Sequence, residues 1–217
     1  MDEKRIMAQV FSNVAKIYDI FLSGITLGGI HRWQERLIKL MGETGSWLDV
    51  GTGTGEILLK LKNSKLKVGI DIAFGMLKRA KEKCGDCYLI LADGENMPFK
   101  NESFDRVSLS LVFRHLPSQE SFLKEAGRVM KKGGRIGILD IRKFWGNKVL
   151  SFLMKTLFLP LGILIFGKDK WDFFIHSLEK SFTIDETKKL LEGNGFKTIA
   201  VETKFMGLIY LIVGEKV

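Results

Sequence analysis

Three carboxylates, Asp49, Asp71 and Asp93, stand at the ends of three successive short apolar runs. The first precedes Gly51-Thr52-Gly53-Thr54-Gly55. Glycines at such a turn permit φ > 0 and let the backbone approach a ligand with no Cβ in the way. The helix expected behind the turn offers unpaired N–H groups. A dinucleotide fingerprint would read G-x-G-x-x-G and seat a pyrophosphate. Here the spacing is G-x-G-x-G, and Asp49 would repel phosphates. The loop suits a ligand that carries an ammonium or sulfonium group and no phosphate.

S-adenosyl-L-methionine has both of those cations. Asp71, closing the second run, can accept both ribose hydroxyls, although NAD would use the same carboxylate. Asp93, in Ala92-Asp93-Gly94, can accept from an adenine amino group. Any one of these acids alone reads as a turn or helix cap. Three of them at successive run ends point to one adenosyl ligand. The cofactor-binding set is then Asp49, Gly51, Thr52, Gly53, Gly55, Asp71, Ile72, Asp93 and Gly94.

The elements that must position these residues follow from hydrophobic spacing. Residues 4–22 read as one helix with Ile6, Val10, Val14, Ile17 and Phe21 on a face, and a second helix carries Trp33, Leu37, Ile38 and Met41. Short apolar runs at 46–50, 67–72, 87–92, 105–112 and 135–141 alternate with helical patterns at 55–63, 74–84 and 118–131. Runs apolar on both faces indicate strands covered on both sides, hence an α/β, doubly wound, mostly parallel sheet. After a helix at 184–194, Phe196–Thr203 and Phe205–Val213 read as an antiparallel closing pair, because their turn is too tight for a parallel crossover. The expected whole is one domain. It divides into N-terminal helices (1–44), a cofactor-binding core (45–142), an apolar helical insert (143–182) and a last helix with closing strands (183–217).

Composition narrows the classes. Apolar residues make up 46% and charged residues 27%, ordinary for a folded soluble protein of 217 residues. The start Met1-Asp2-Glu3-Lys4-Arg5 shows no secretory signal pattern. With two cysteines there is no disulfide framework, so a cytoplasmic setting is expected. Cys84 and Cys87 form a C-x-x-C, which reads as two neighbouring cysteines or a local disulfide. A zinc site would need two more ligands, and His31, His115 and His176 are scattered, so no metal is expected. The net charge of +9 comes from dispersed lysines without an arginine-rich block, which argues against nucleic acid and leaves peripheral contact with an anionic membrane open. The crowded apolar residues of 143–170 read as a lid over the strand ends or a lipid-facing surface. Lys148, Lys155 and Pro160 interrupt them before a span of ~20 residues.

These motifs resemble the class I S-adenosylmethionine-dependent methyltransferases over nearly the full chain. The matching stretches are Trp47–Gly55, Gly69-Ile70-Asp71, Ala92–Phe99, Ser103–Val107 and Arg128–Arg135. Within that superfamily the flanks are similar to the ubiquinone/menaquinone biosynthesis C-methyltransferases, through Val10–Asp19, Gly29–Trp33, Leu159–Gly162 and Ser177-Leu178. The resemblance implies that Asp49 and the glycine backbone hold the methionine end, Asp71 the ribose and Asp93 the adenine. It implies a role for Arg114, whose counterpart in the family orients a water that deprotonates the ring. This chain has Arg114-His115 where the family has Arg-Asn. Asp172, Phe173 and Phe174 replace the family's tyrosines, and a histidine of its last strand is absent.

Methyl transfer from a sulfonium needs mainly in-line positioning and an activated nucleophile. At an aromatic carbon, activation means forming the phenolate. Arg114 could stabilise that anion, His115 could accept the proton, and Tyr18 could close the site. The plainer alternatives are an ion pair to a strand-end carboxylate for Arg114, a capping or core role for His115 and His176, and packing for Tyr18. The leading expectation is C-methylation of a polyprenylated quinol precursor of the demethylmenaquinol or ubiquinol type. The alternatives are methylation of another apolar small molecule or lipid at O or N, and a non-catalytic S-adenosylmethionine-binding protein. The expected partner is an apolar, membrane-dissolved small molecule met at the inner membrane face. The oligomeric state is left open, a homodimer included.

Overall fold

Strands apolar on both faces require cover on both, and flanking helices supply it. The computed structural model describes residues 3–15, 17–143, 155–156, 159–160, 163, 168, 175 and 178–217. In chain order its elements are α1 (Glu3–Val14), α2 (Tyr18–Ile25), α3 (Gly29–Met41), β1 (Gly45–Val50), α4 (Glu56–Lys60), β2 (Ser64–Asp71) and α5 (Phe74–Lys83). They continue with β3 (Tyr88–Leu91), β4 (Phe104–Ser110), α6 (Gln119–Val129), β5 (Met130–Ile141), α7 (Ile184–Gly193), β6 (Phe196–Lys204) and β7 (Ile209–Lys216).

The strands lie in the order β3-β2-β1-β4-β5-β7-β6. Strands β1 to β5 pair in parallel, and β7 runs antiparallel to both β5 and β6. This is the expected doubly wound sheet with its last strand reversed. The order changes direction between β1 and β4, so a crevice opens beyond the ends of those strands.

Each face of the sheet buries its own core. Phe113, Phe122, Phe196 and Tyr210 lie in one, and Trp47, Leu37, Met41 and Leu139 in the other. Helix α3 turns Ile30, Trp33, Gln34, Leu37, Ile38 and Met41 inward, the stripe that a 3.6-residue period makes on one side. Its single polar member, Gln34, is buried and donates to Ser110 Oγ at 3.2 Å.

The structure departs from the sequence expectations at several element bounds, among them α4, which is Glu56–Lys60 and not 55–63, and β2, which begins at Ser64 and not at 67. The helix expected over 4–22 is two helices, broken between Val14 and Tyr18. Strand β5 begins at Met130 and not at 135, and β7 begins at Ile209 because Phe205–Gly207 forms a turn. Cys84 and Cys87, at the end of α5 and just before β3, form the local disulfide, with a Cα–Cα distance of 5.5 Å. Most of the apolar insert lies outside the described residues, as do Asp172, Phe173, Phe174, His176 and Ser177. Among the described residues no helix is long and apolar enough to cross a membrane.

Candidate active site

Strand order brings the chemistry-bearing loops together. A cavity at the switch point is lined by the β1 loop, the ends of β2 to β4, and the inner faces of α1, α2 and α3. Gly51 holds φ +64°, and a Cβ there would lie 2.5 Å from a Val112 methyl. Gly53 holds φ +56° and has nothing within 4 Å of where its Cβ would be. The first glycine is thus required by close packing, and the second leaves open space at the loop's surface.

Asp49 is buried, and its Oδ1 accepts from Ser108 Oγ at 2.6 Å; that hydroxyl in turn accepts from Trp47 Nε1 at 2.8 Å. Burial pushes the Asp49 carboxyl up to about 7, with the Ser108 bond opposing and the charge of Asp71 adding. Asp71 accepts from the backbone N–H of Gly53 at 2.9 Å and of Ala73 at 2.8 Å. Burial still raises its pKa above the ordinary carboxylate value. The Ile72 backbone N–H also acts on this carboxylate, so of the about four acceptor positions of an ionised carboxylate at least one remains. Asp93 accepts from Glu95 N at 2.9 Å and pairs with Lys4, which also pairs with Glu95.

Of the residues expected to form the site, Tyr18, Asp49, Gly51, Thr52, Gly53, Asp71, Ile72, Asp93, Gly94 and His115 line the cavity. Gly55 does not; it stands at the N-terminus of α4 with φ +85°. Arg114 does not either. Its guanidinium pairs with Asp140, a buried carboxylate near the end of β5, and its Nη1 also donates to Leu111 O at 3.2 Å. The backbone N–H of Arg114 donates to the other Asp140 oxygen at 3.0 Å. The strand-end ion pair, the plainer alternative, is what the fold builds there. His115, packed edge-on to Phe11 at 5.6 Å, has its pKa held well below the imidazole norm by burial and by the charges of Arg114 and Lys180. It is therefore neutral near pH 7. Burial raises Tyr18 to about 12, against the charge of Arg114.

Several lining residues were not expected from the sequence: Lys4, Asp19, Gln34 and Ser110. Asp19 accepts from Thr54 Oγ1 and from Lys83, both at 2.6 Å, and so ties α2 to the β1 loop and to α5. Ser12 Oγ accepts from Gly75 N at 3.1 Å and ties α1 to α5. A signal was available for β4, where Ser108 and Ser110 interrupt an apolar strand with period two. Lys4 and Asp19 carried none, because they reach the site only once α1 and α2 fold back over it.

The match to the model of the ubiE/COQ5 methyltransferase family runs over residues 1–216. The chain belongs to that family. This methyltransferase is 29% identical to the demethylmenaquinone methyltransferase of Thermotoga maritima over 223 aligned positions, covering 98% of this chain and 96% of the relative. It is 31% identical to the ubiquinone/menaquinone biosynthesis C-methyltransferase UbiE of Rickettsia massiliae, covering 94% of this chain and 90% of that one. Among solved structures, a Thermotoga maritima S-adenosylmethionine-dependent methyltransferase, titled a possible histamine N-methyltransferase, superposes with a TM-score of 0.71 at 21% identity. The superposition covers 97% of this chain and all of that one, and establishes the class I methyltransferase fold.

The enzyme's cofactor is accordingly S-adenosyl-L-methionine. The residues present fit that group. A buried carboxylate with a raised pKa, such as Asp49, is matched by a ligand cation. Asp71 keeps an acceptor position for a hydroxyl, and Gly53 leaves the room that a side chain would fill.

Proposed function

We propose that this enzyme methylates a ring carbon of a polyprenylated quinol precursor of the demethylmenaquinol or ubiquinol type, working in the cytoplasm at the inner membrane face. The names of the two relatives and the apolar rim of the cavity (Met7, Phe11, Leu22, Leu111, Val112 and Leu116) support this reading. The observation that carries it is that Tyr18 and His115, each packed edge-on to Phe11, line one mostly apolar cavity together with three strand-end carboxylates.

When bound, the cofactor supplies an electrophilic methyl group. Asp49 and the Gly51–Gly53 backbone hold its methionine end, with Thr52 beside them. Asp71 and Ile72 hold the ribose, and Asp93 and Gly94 the adenine. Gly55 shapes the turn into α4 without contact. His115 accepts the proton of the quinol hydroxyl: burial leaves it uncharged at neutral pH, and its lowered pKa makes the transfer depend on Tyr18 stabilising the phenolate as it forms. Tyr18 stays protonated, donates toward the developing phenolate, and shuts out water from above. Arg114, bound to Asp140, Leu111 and its own turn, acts as a positioning residue that fixes His115 against the cavity. Charge formed on the oxygen spreads to the ring carbon and makes it nucleophilic; the cofactor would supply the methyl group there, its carbon–sulfur bond breaking as the new carbon–carbon bond forms, with S-adenosylhomocysteine leaving and the proton lost from the ring carbon passing to solvent.

The test is turnover with methyl-labelled cofactor and a short-chain demethylmenaquinol in detergent. The expected product carries the label on a ring carbon. No transfer, or label on oxygen, overturns the reading.

A further inference from the structure

Large apolar side chains are seldom held in the left-handed backbone region, where L-residues other than glycine are strained. Four of the five non-glycine residues with positive φ among the described residues are large and apolar: Leu111 (62°) is buried at the cavity, whereas Leu27 (51°), Phe205 (51°) and Met206 (55°) stand at surface turns. Leu27 is 81% exposed and Met206 fully so, at 103%. Neither turn is slack. Thr26 Oγ1 donates to Leu22 O at 2.7 Å, and Gly28 N to Ser23 O at 2.7 Å, clamping the first. Leu208 N donates to Phe205 O at 3.1 Å, and Arg142 N to Leu208 O at 2.7 Å, clamping the second.

The two turns belong to one surface. The Trp33 indole stands at 5.7 Å from the Phe205 ring and packs so closely on Gly29 that a Cβ there would fall 2.6 Å from it. Next to Leu27, α2 buries none of its residues fully. Its Tyr18, Asp19 and Leu22 line the cavity, while Ile20, 75% exposed, and Ile25 face solvent. One thin helix therefore separates the apolar surface from the site. Cations stand behind the tips. Lys204 and Arg36 flank Glu202, Arg32 is exposed on α3, and the Arg142 guanidinium lies against Gly207. Two carboxylates, Glu35 and Glu202, oppose these four on a chain of net charge +9.

We propose that this surface docks the enzyme on an anionic lipid bilayer. Leu27, Phe205 and Met206 insert among the acyl chains, and Arg32, Arg36, Arg142 and Lys204 meet the lipid phosphates. The side chains are held outward against backbone preference because their partner is hydrocarbon and not the protein's own core. The inference rests on the proposed polyprenylated acceptor for its purpose, since α2 then faces the acceptor's source on one side and its destination on the other.

The test is co-sedimentation of the full chain with phosphatidylcholine vesicles, with and without phosphatidylglycerol, comparing wild type with Leu27→Gly and Met206→Gly. Glycine relieves the positive φ while deleting the apolar tip, so these variants keep or raise their melting temperature. Wild type binds the anionic vesicles preferentially. Each variant binds about tenfold more weakly and the pair more weakly still, with S-adenosylhomocysteine affinity unchanged. Variants that sediment like wild type overturn the proposal. So does a change confined to self-association in lipid-free ultracentrifugation, which would make a second copy of the chain the occupant. Turnover of a short-chain, water-soluble quinol without lipid reports on the acceptor reading separately, because partitioning is measured without turnover.

Discussion

Asp49 shows how a binding residue can weaken the empty protein. Its carboxyl is raised by burial to about 7, so the folded chain prefers the protonated form and the ligand cation prefers the charged one. The stability contribution of a raised carboxyl is complete below its unfolded value near 4 and is lost as pH rises through 7. Asp49→Asn should therefore stabilise the ligand-free protein at pH 8, with the amide oxygen still accepting from Ser108, and should remove that part of the pH slope in thermal melts. The same change should weaken cofactor binding by about 1.5–3 kcal/mol, roughly 10- to 150-fold. In the wild type, calorimetry should show affinity falling as pH drops from 8 to 6, with proton release on binding below 7. A pH-independent affinity would show that Asp49 does not meet the ammonium. The carboxylates were legible in the sequence because three acids close three successive apolar strands, although each alone reads as a cap. Lys4, which pairs with Asp93 and Glu95, was not, because a lysine on an amphipathic helix reads as a solvated face.

The strands, helices and turns were legible where burial sets the pattern and obscure where tertiary contacts override it. The central strands are apolar on both faces and could hardly be read otherwise. The break between α1 and α2 contains no glycine or proline, and the apolar spacing continues across it through Val14, Ile17 and Phe21, so one helix was the natural reading. Phe205 and Met206 continue an apolar run and read as strand, but their positive φ makes them a turn. In the turn at Phe113–His115, Arg114 was read as a residue facing the ring, while the structure pairs it with Asp140, the one acid in the buried stretch Ile136–Asp140. Removing the arginine alone leaves that acid buried and unpaired, so Arg114→Met should cost about 3–5 kcal/mol in denaturant unfolding. Combining it with Asp140→Asn, which removes the charge and keeps an acceptor for the Arg114 backbone N–H, should recover most of that loss. If the pair positions His115, the double variant will bind cofactor with unchanged affinity yet lose at least about tenfold in kcat. Wild-type turnover in the double variant would mark the ion pair as a matter of stability alone.

At the scale of the whole molecule, a doubly wound sheet gathers loops far apart in sequence at one switch point, and helices α1 and α2 fold back as a roof tied by Lys4, Ser12 and Asp19. The roof's inner side completes the cavity, and its outer side continues into the exposed surface at Leu27 and Met206. Fold and cofactor were readable from local motifs because strand ends and glycine turns are local. The roof and its outer surface depend on how remote elements pack, which no short stretch of residues encodes. The central claim is that three strand-end carboxylates surround one adenosyl ligand. A crystal structure with S-adenosylhomocysteine tests this most directly. It should place the ligand's ammonium at Asp49, its ribose hydroxyls at Asp71 and its adenine amino group at Asp93. A ligand bound elsewhere, or with these three side chains turned away from it, would contradict the account.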